Sequence, residues 1–201
     1  MKLRLISILL LLCILAGCGQ PALPEIEQEY NIDTDNLPCS QENLYDMLFD
    51  LENKISLRLD MEKSELSKMQ EDYDRYEKIG SKSPIYRKGD LHIGITTPKG
   101  KTFNFLIEEV GVRMKGNTSR TDFYNNLTGI HNIIHLKLSF QETFDKEKYY
   151  GDEAKEWDED ARKIRKNRTF ATLEKLDLRW NRCDDSSYLK EYFAYETYRQ
   201  Y

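Results

Sequence analysis

Apolar and polar residues alternate along several short stretches of this 201-residue chain, and this pattern constrains the fold more than any other feature. An alternation with period two is typical of a half-buried β-strand, because successive side chains point to opposite faces of a sheet. The stretches that show it are 54–60, 90–97, 102–107, 109–115, 133–140 and 170–180. A Pro-Lys-Gly-Lys turn at 98–101 joins two of them as a hairpin. The sequence therefore predicts a largely antiparallel sheet.

Three further segments have the spacing of helices. Residues 62–78 carry apolar side chains at helical intervals and end before Gly80, and Ser40 is a suitable N-cap for a short helix through Phe49. Residues 186–200 have the same periodicity. The tract 141–167 is poor in apolar residues and is interpreted as a helical or mobile insertion. The predicted fold class is α+β, with helices packed on an antiparallel sheet.

Basic residues cluster at the end of the strand predicted over 109–115. Arg113 and Lys115 fall on one face of that strand, and Arg120 follows a Gly-Asn-Thr-Ser turn. Arginine forks and the free amides of a turn bind anions, phosphate above all. The alternative is a solvated hairpin end, which the residues alone leave open. The basic loop 82–88 is likewise either a connector or part of the same anion site.

The segment Gly-Val-Arg-Met-Lys-Gly-Asn-Thr-Ser-Arg at 111–120 resembles the signature of the spore coat protein H (CotH-like) kinase family. Three more blocks resemble that family in the same order, and together they extend over about residues 44–201. These blocks are 65–73 with 82–88, then His-Leu-Lys-Leu-Ser-Phe at 135–140, and Leu-Asp-Leu-Arg-Trp-Asn at 176–181 with 188–191.

The resemblance implies a fold like the N-terminal lobe of an atypical protein-kinase-like fold. It implies transfer of a phosphoryl group from ATP, with Mg²⁺, to hydroxyl groups of proteins. Lys137 would be the catalytic lysine that reaches the nucleotide phosphates, and Glu191, or alternatively Glu196, would hold it. The phosphate-binding residues would be Arg113, Lys115, Asn117, Ser119 and Arg120.

The metal-binding and catalytic acidic residues of the family belong to a later segment, so the resemblance extends only to the N-terminal part. No metal ligand is therefore predicted, and the chain is expected to be inactive as a kinase by itself. An alternative is a non-catalytic module that binds a partner or has a structural role at the cell surface. In that case Lys137 is an ordinary exposed strand lysine.

The first residues have the form of a bacterial lipoprotein signal. Lys2 and Arg4 precede an apolar run that is too short to span a membrane, and Leu-Ala-Gly-Cys at 15–18 is a lipoprotein cleavage box. Lipid on Cys18 would anchor the protein outside the cytoplasmic membrane of a bacterium. The predicted organisation is a signal peptide at 1–17, a flexible tether at 18–39 and a domain at 40–201. The alternative is an ordinary secretory signal.

Cysteines and charge add two expectations. With Cys13 in the signal and Cys18 lipidated, Cys39 and Cys183 either form a disulfide bond or remain separate thiols. The formal net charge of -5 argues against a nucleic-acid partner. The partners expected are the membrane, through the lipid, and an extracellular protein substrate.

Overall fold

The computed structural model of the protein describes residues 28–34, 36–115, 124–125, 130–131 and 134–179. Within them the chain forms four α-helices, a short 3-10 turn at Gly151–Glu153 and eight strands. The helices are α1 (Gln41–Phe49), α2 (Lys63–Glu77), α3 (Glu147–Tyr150) and α4 (Glu159–Lys166). The strands are β1 (Glu29–Asn31), β2 (Lys54–Asp60), β3 (Arg87–Thr96), β4 (Thr102–Lys115), β5 (Tyr124–Asn125), β6 (Ile130–His131), β7 (His135–Ser139) and β8 (Lys175–Leu178).

The main sheet has the order β2-β3-β4-β7-β8, and all of these neighbours pair antiparallel. This agrees with the mixed helix and sheet class predicted from the alternating stretches. Among the residues that the structure describes, the short strands β5 and β6 pair with each other and with no other strand. One strand departs from the antiparallel arrangement expected from the sequence, because β1 pairs in parallel with β4.

One apolar cluster holds the sheet and the helices together. Its centre is formed by β3 and β4, where Ile93 and Phe105 are opposite each other and fully buried. Leu44 of α1 and Met69 of α2 close the cluster from the helical side. Phe170 packs edge-on against Phe105, with ring centroids 5.4 Å apart. The two central strands are therefore the best-buried part of the fold.

The helix predicted at 62–78 is observed as α2, and a buried ion pair fixes it on the sheet. Asp72 of α2 is 4% exposed, and Arg87 at the start of β3 lies 2.8 Å from it. Arg75 binds the second oxygen of the same carboxylate. Gly80 then ends the helical region with φ +63°, a conformation that glycine adopts without strain. The N-cap predicted at Ser40 is also present, since its hydroxyl accepts from the Asn43 amide.

Part of the predicted tether at 18–39 belongs to the folded domain, which corrects the boundary placed at residue 40. Strand β1 adds to β4, and Ile32 after it is 9% exposed. Asp33 then forms a 3.0 Å ion pair with the buried Arg168. The acidic, proline-containing composition of the segment concealed this, because three residues of strand are too few to produce a recognisable alternation.

The tract 141–167, interpreted as an insertion, is packed against the sheet. Phe144 is fully buried, and helix α4 contributes the buried Arg165. Asp158 caps α4 by accepting from the Ala161 amide. The interpretation of this tract as helical is confirmed in α3 and α4. One buried aromatic residue and a few polar anchors replace the continuous apolar stripe of an ordinary helix.

Two predicted strands differ in extent. Residues 102–115 form one continuous strand, although the sequence suggested two, and the predicted strand 170–180 is observed only at Lys175–Leu178. Residues 170–173 form a tight turn instead, with Phe170 and Leu173 joined by a bridge. The helix predicted over 186–200 lies outside the described residues. None of the helices in the described part has both the length and the apolar character that crossing a bilayer requires.

Candidate functional site

Strand pairing brings two of the predicted site residues directly opposite each other. Arg113 of β4 pairs with Lys137 of β7, and Lys137 pairs on its other side with Asp177 of β8. Lys115 is opposite His135 in the same ladder. Because residues in register share a face, these five side chains lie on one face of the sheet.

This surface, called the cationic face below, is strongly positive for a chain with a net charge of -5. From Arg113 onward on β4, and along the described parts of β7 and β8, it carries five cationic side chains and one carboxylate. The cations are Arg113, Lys115, Lys137, Lys175 and, by continued alternation past β8, Arg179, and the carboxylate is Asp177. Like charges directly opposite each other on a sheet are unfavourable. The Arg113–Lys137 pair therefore has a cost that an anion would remove.

Asp177 partly neutralises the cationic face and was not foreseen from the sequence. It forms an ion pair with Lys115. Burial alone would raise the pKa of Asp177, but Lys115 and the nearby Lys137 and Arg179 hold that pKa below its ordinary value. The alternation of Leu176, Asp177 and Leu178 was a visible signal, but the strand register that places Asp177 among the lysines was not.

Arg113 has a structural task in addition to its charge. Its Nη1 donates to the Ser83 carbonyl at 2.9 Å, and its guanidinium lies 5.1 Å from the centre of the Tyr86 ring. Its Nε is buried and has no hydrogen-bond partner among the described residues. Arg113 thus holds the basic loop after α2 against β4, which places Lys82 beside the cationic face. The loop is more than a solvated connector.

Lys137 is half-buried like Arg113 and Lys115, but unlike them it forms no hydrogen bond or ion pair with a described residue. Lys175 and Arg179 also lack such a partner among the described residues, but both are exposed. The other predicted site residues lie outside the described part of the chain, namely Cys18, Asn117, Ser119, Arg120 and Glu191.

Cys39 is a half-buried free thiol within the described residues, and burial raises its pKa. Its predicted alternative partner Cys183 also lies outside them.

A second polar site surrounds an irregularity in the central strands. The pairing of β3 with β4 shifts between Gly89 and Leu91, so that Glu108 and Glu109 are opposite Asp90 in a β-bulge. Glu109 has φ +52°, which is strained for a residue with a Cβ. Its amide donates to the Asp90 carboxylate at 2.8 Å.

Two buried arginines stabilise this bulge. Arg168 donates from Nη1 to the Glu108 carbonyl at 2.8 Å and from Nε to the Phe140 carbonyl at 2.7 Å. Arg165 donates to the carbonyls of Glu109 and Glu142. Burial lowers the pKa of both arginines, that of Arg165 to about 10, and each is 7% exposed. Strained backbone held by buried charges is a common feature of functional sites.

An open cleft of about 940 Å³ lies over the bulge. The residues that follow β1 form one wall and helix α4 forms another. Sequence reasoning missed this site entirely. Arg165 and Arg168 occur among many charged residues, and nothing in that composition distinguishes a buried arginine from a solvated one.

The described residues contain no group of three or more histidine, cysteine or acidic side chains close enough to hold a metal ion. Comparisons of the chain with models of protein families, with curated proteins and with solved structures found no match. The resemblance to CotH-like kinases therefore stays a prediction, and the candidate sites are argued from their geometry.

Proposed function

We propose that the protein binds the phosphates of a nucleotide, ATP, on the cationic face, as the nucleotide-side part of a CotH-like kinase domain. The observation that carries the proposal is the juxtaposition of Arg113 and Lys137 on neighbouring strands, with Lys115 one position along the same face. Asp177 is the carboxylate that the pairing of β7 with β8 places beside them.

Phosphate suits this arrangement for electrostatic reasons. A polyphosphate carries several negative charges, so it compensates two opposed cations better than a single carboxylate does. Lysine binds phosphate as a point charge, and the half-buried position of Lys137 limits the screening of that charge by water. Arg113 is already tied to Ser83 and Tyr86, so its part is to fix the loop and supply positive potential.

The residues described fit the phosphates of ATP but do not supply a Mg²⁺ site. ATP would bring the phosphoryl group, and Lys137 would contact its phosphate oxygens. The carboxylate opposite Lys137 is that of Asp177, and it already forms an ion pair with Lys115. The proposal therefore assigns phosphate binding to this part of the chain and derives no transfer step. The acceptor proposed for a complete kinase is an extracellular protein.

The proposal includes attachment of the protein to the outer side of a bacterial membrane through lipid on Cys18. Its support is the Leu-Ala-Gly-Cys box after a short apolar run. Expression in a bacterium with a radioactive fatty acid tests it. We expect label in the wild type and none in Cys18→Ser, whereas equal labelling of both proteins would contradict the anchor.

Calorimetric titration with ATP and magnesium tests the phosphate site. We expect Lys137→Ala to weaken binding at least tenfold, or about 1.4 kcal/mol. Lys137→Arg should retain most of the affinity. Lys101→Ala is the matched control, because Lys101 lies beside β4 at the opposite end from Lys115. Equal affinity of the wild type and Lys137→Ala would exclude this face as the nucleotide site.

A second candidate is a surface module that binds a partner without catalysis. The contacts of Arg113 with Ser83 and Tyr86, together with the ion pair of Lys115 with Asp177, favour it, because they give two of the cations a structural task. The same titration separates the two. Absence of ATP binding by a folded wild-type protein would favour the module.

A further inference from the structure

The cleft over the β-bulge is a second candidate site, separate from the cationic face. It is bounded by the segment Ile32 to Thr34, by the bulge at Glu108 and Glu109, and by helix α4. Its volume of about 940 Å³ is in the range of pockets that hold small organic molecules. The class of ligand depends on which polar and charged groups of the lining have no partner in the protein.

The carboxylates of the cleft are all engaged within the described structure. Asp33 pairs with Arg168 at 3.0 Å, Glu108 accepts from Asn31 at 2.7 Å, Glu109 pairs with Lys155, and Asp90 accepts from the Glu109 amide at 2.8 Å. A cationic ligand would therefore have to displace an existing partner. Acidic residues in the lining do not make this a cation site.

Two cationic side chains of the cleft, unlike its carboxylates, have groups without a partner in the described structure. Arg165 uses Nε and Nη2 on backbone carbonyls, and its Nη1 makes no hydrogen bond with any described residue. Arg165 is only 7% exposed, but it belongs to the lining of the cleft, so part of its side chain reaches the cleft surface. Lys163, two residues earlier, is exposed and has no ion-pair partner in the described part. Both unsatisfied groups are positive.

Burial makes the positive charge at this site more costly. Desolvation and the neighbouring Arg168 lower the pKa of Arg165 to about 10. The carboxylates of Glu109, Asp33 and Glu142 act in the opposite direction but do not outweigh these two effects. An anion bound to Nη1 would add negative charge in a partly dehydrated place, where the interaction is strong.

The remaining lining is apolar and accessible. Ile164 lines the cleft and is 74% exposed, which is unusual for a large aliphatic side chain. Trp157 lies near it in the lining, with its Nε1 already donating to the Thr143 carbonyl at 2.7 Å. The Lys155 ammonium lies 5.2 Å from the centre of the indole ring, and the rest of the indole offers apolar surface, since its only donor is already used.

We propose that this cleft binds a small organic carboxylate whose apolar or aromatic body lies on Ile164 and Trp157. The carboxylate accepts from Nη1 of Arg165, and Lys163, which lies on a different side of α4 but also lines the cleft, adds positive potential. This goes beyond the nucleotide proposed for the cationic face and does not depend on it, because the two sites share no residue. The cleft is expected to discriminate against the neutral amide of the same molecule.

The test uses the full chain and the probe N-acetyl-phenylalanine, which combines a carboxylate with an aromatic ring. N-acetyl-phenylalanine amide is the neutral control ligand, and acetate is the control without an apolar body. Binding is followed by two-dimensional NMR titration. We expect the wild type to saturate with N-acetyl-phenylalanine, with at least fivefold weaker binding of either control ligand.

Two exposed lysines of α4 give matched variants that should fold normally. Lys163 lines the cleft, whereas Lys166 does not. We expect Lys163→Ala to weaken the binding of N-acetyl-phenylalanine at least fivefold. Lys166→Ala should leave the affinity for this probe unchanged. Ile164→Ser should weaken the probe but not change the ratio between probe and amide.

Three results would overturn the proposal. The first is the absence of saturable binding by the wild type at probe concentrations up to about 10 mM, because a specific site would have a dissociation constant below about that value. The second is equal binding of the amide, and the third is equal loss in Lys163→Ala and Lys166→Ala. Loss of binding in Lys137→Ala alone would also overturn it, since it would assign the probe to the cationic face.

Discussion

Individual residues of this fold are strained at defined positions. Glu109, Phe144, Ala171 and Thr172 all have positive φ, although none is glycine. At Glu109 the strain is balanced by the contacts of Arg165, Arg168 and Lys155 with this residue. At Thr172 the side chain is exposed, and only the backbone amide is held, by Gln41. The strain at Thr172 is therefore the easier one to relieve.

Thr172→Gly is expected to stabilise the protein relative to Thr172→Ala. Thr172 has φ +63°, and a left-handed conformation costs about 1–2 kcal/mol for a residue with a Cβ. Glycine removes that cost but adds about 0.5–1 kcal/mol of chain entropy in the unfolded state. The free energy of unfolding in denaturant should be about 1 kcal/mol higher for the glycine variant. A more stable alanine variant would show that the observed backbone conformation is not the one adopted in solution.

The ion pair of Lys155 with Glu109 is expected to make stability depend on acid pH. Burial by itself would raise the pKa of Glu109, but Lys155 outweighs burial and holds the pKa below its ordinary 4.5. Since the folded pKa is lowered, this stabilisation is present above pH 4.5 and is lost as the pH falls through the folded pKa. The two side chains are 30% and 38% exposed, so the contribution is at most about 1 kcal/mol.

Denaturant unfolding at pH 7 and at pH 3 measures this dependence. The wild type should lose more free energy of unfolding between the two conditions than Lys155→Met does. Lys166→Met is the control, because Lys166 is exposed and has no ion-pair partner in the described residues. An acid-side loss in Lys155→Met as large as in the wild type would contradict the assignment.

Secondary-structure elements were predictable where their pattern was long. The periodicity located β2 at Lys54–Asp60 without error and α2 within one residue at each end. Short elements were missed for a physical reason. Strand β1 has three residues, and its position is fixed by Ile32 and Asp33 contacting distant parts of the chain. Such contacts have no trace in local sequence.

Ile32→Ala tests whether the segment after β1 is part of the folded domain. Ile32 is 9% exposed and belongs to the main apolar cluster, so its truncation should cost about 2–4 kcal/mol of unfolding free energy. Ile79→Ala is the matched control, because Ile79 is 71% exposed, and we expect a change within about 0.5 kcal/mol. Equal effects of the two substitutions would support the flexible tether predicted from composition.

At the scale of the whole molecule, the sheet and the positive surface were predictable but their arrangement was not. The sequence grouped Arg113 and Lys115 with Arg120 and treated Lys137 separately, and antiparallel pairing then placed Arg113 opposite Lys137. Asp177 joins them only through the register of β7 with β8. The cleft required knowledge of the bulge and of two buried arginines, which depend on packing between segments about 60 residues apart.

The central position of β3 and β4 predicts a gradient of local stability across the sheet. Strand β3 is paired on both sides, whereas β2 has a partner on one side only within the described residues. Hydrogen exchange measured by mass spectrometry should be at least tenfold slower in peptides covering 87–96 than in peptides covering 54–60. Equal protection of both peptides would indicate an additional neighbour of β2.

The parallel pairing of β1 with β4 determines how the domain bears a pull on the chain before residue 28. When the pull acts along the axis of β1, the ladder from Glu29–Asn104 to Asn31–Leu106 is loaded in shear, so its hydrogen bonds share the force instead of opening one at a time. Two side-chain contacts share the load, Glu29 with His92 at 2.7 Å and Asp33 with Arg168 at 3.0 Å. The ladder and these two side-chain contacts together make the N-terminal segment harder to detach from the domain than a three-residue strand alone would be.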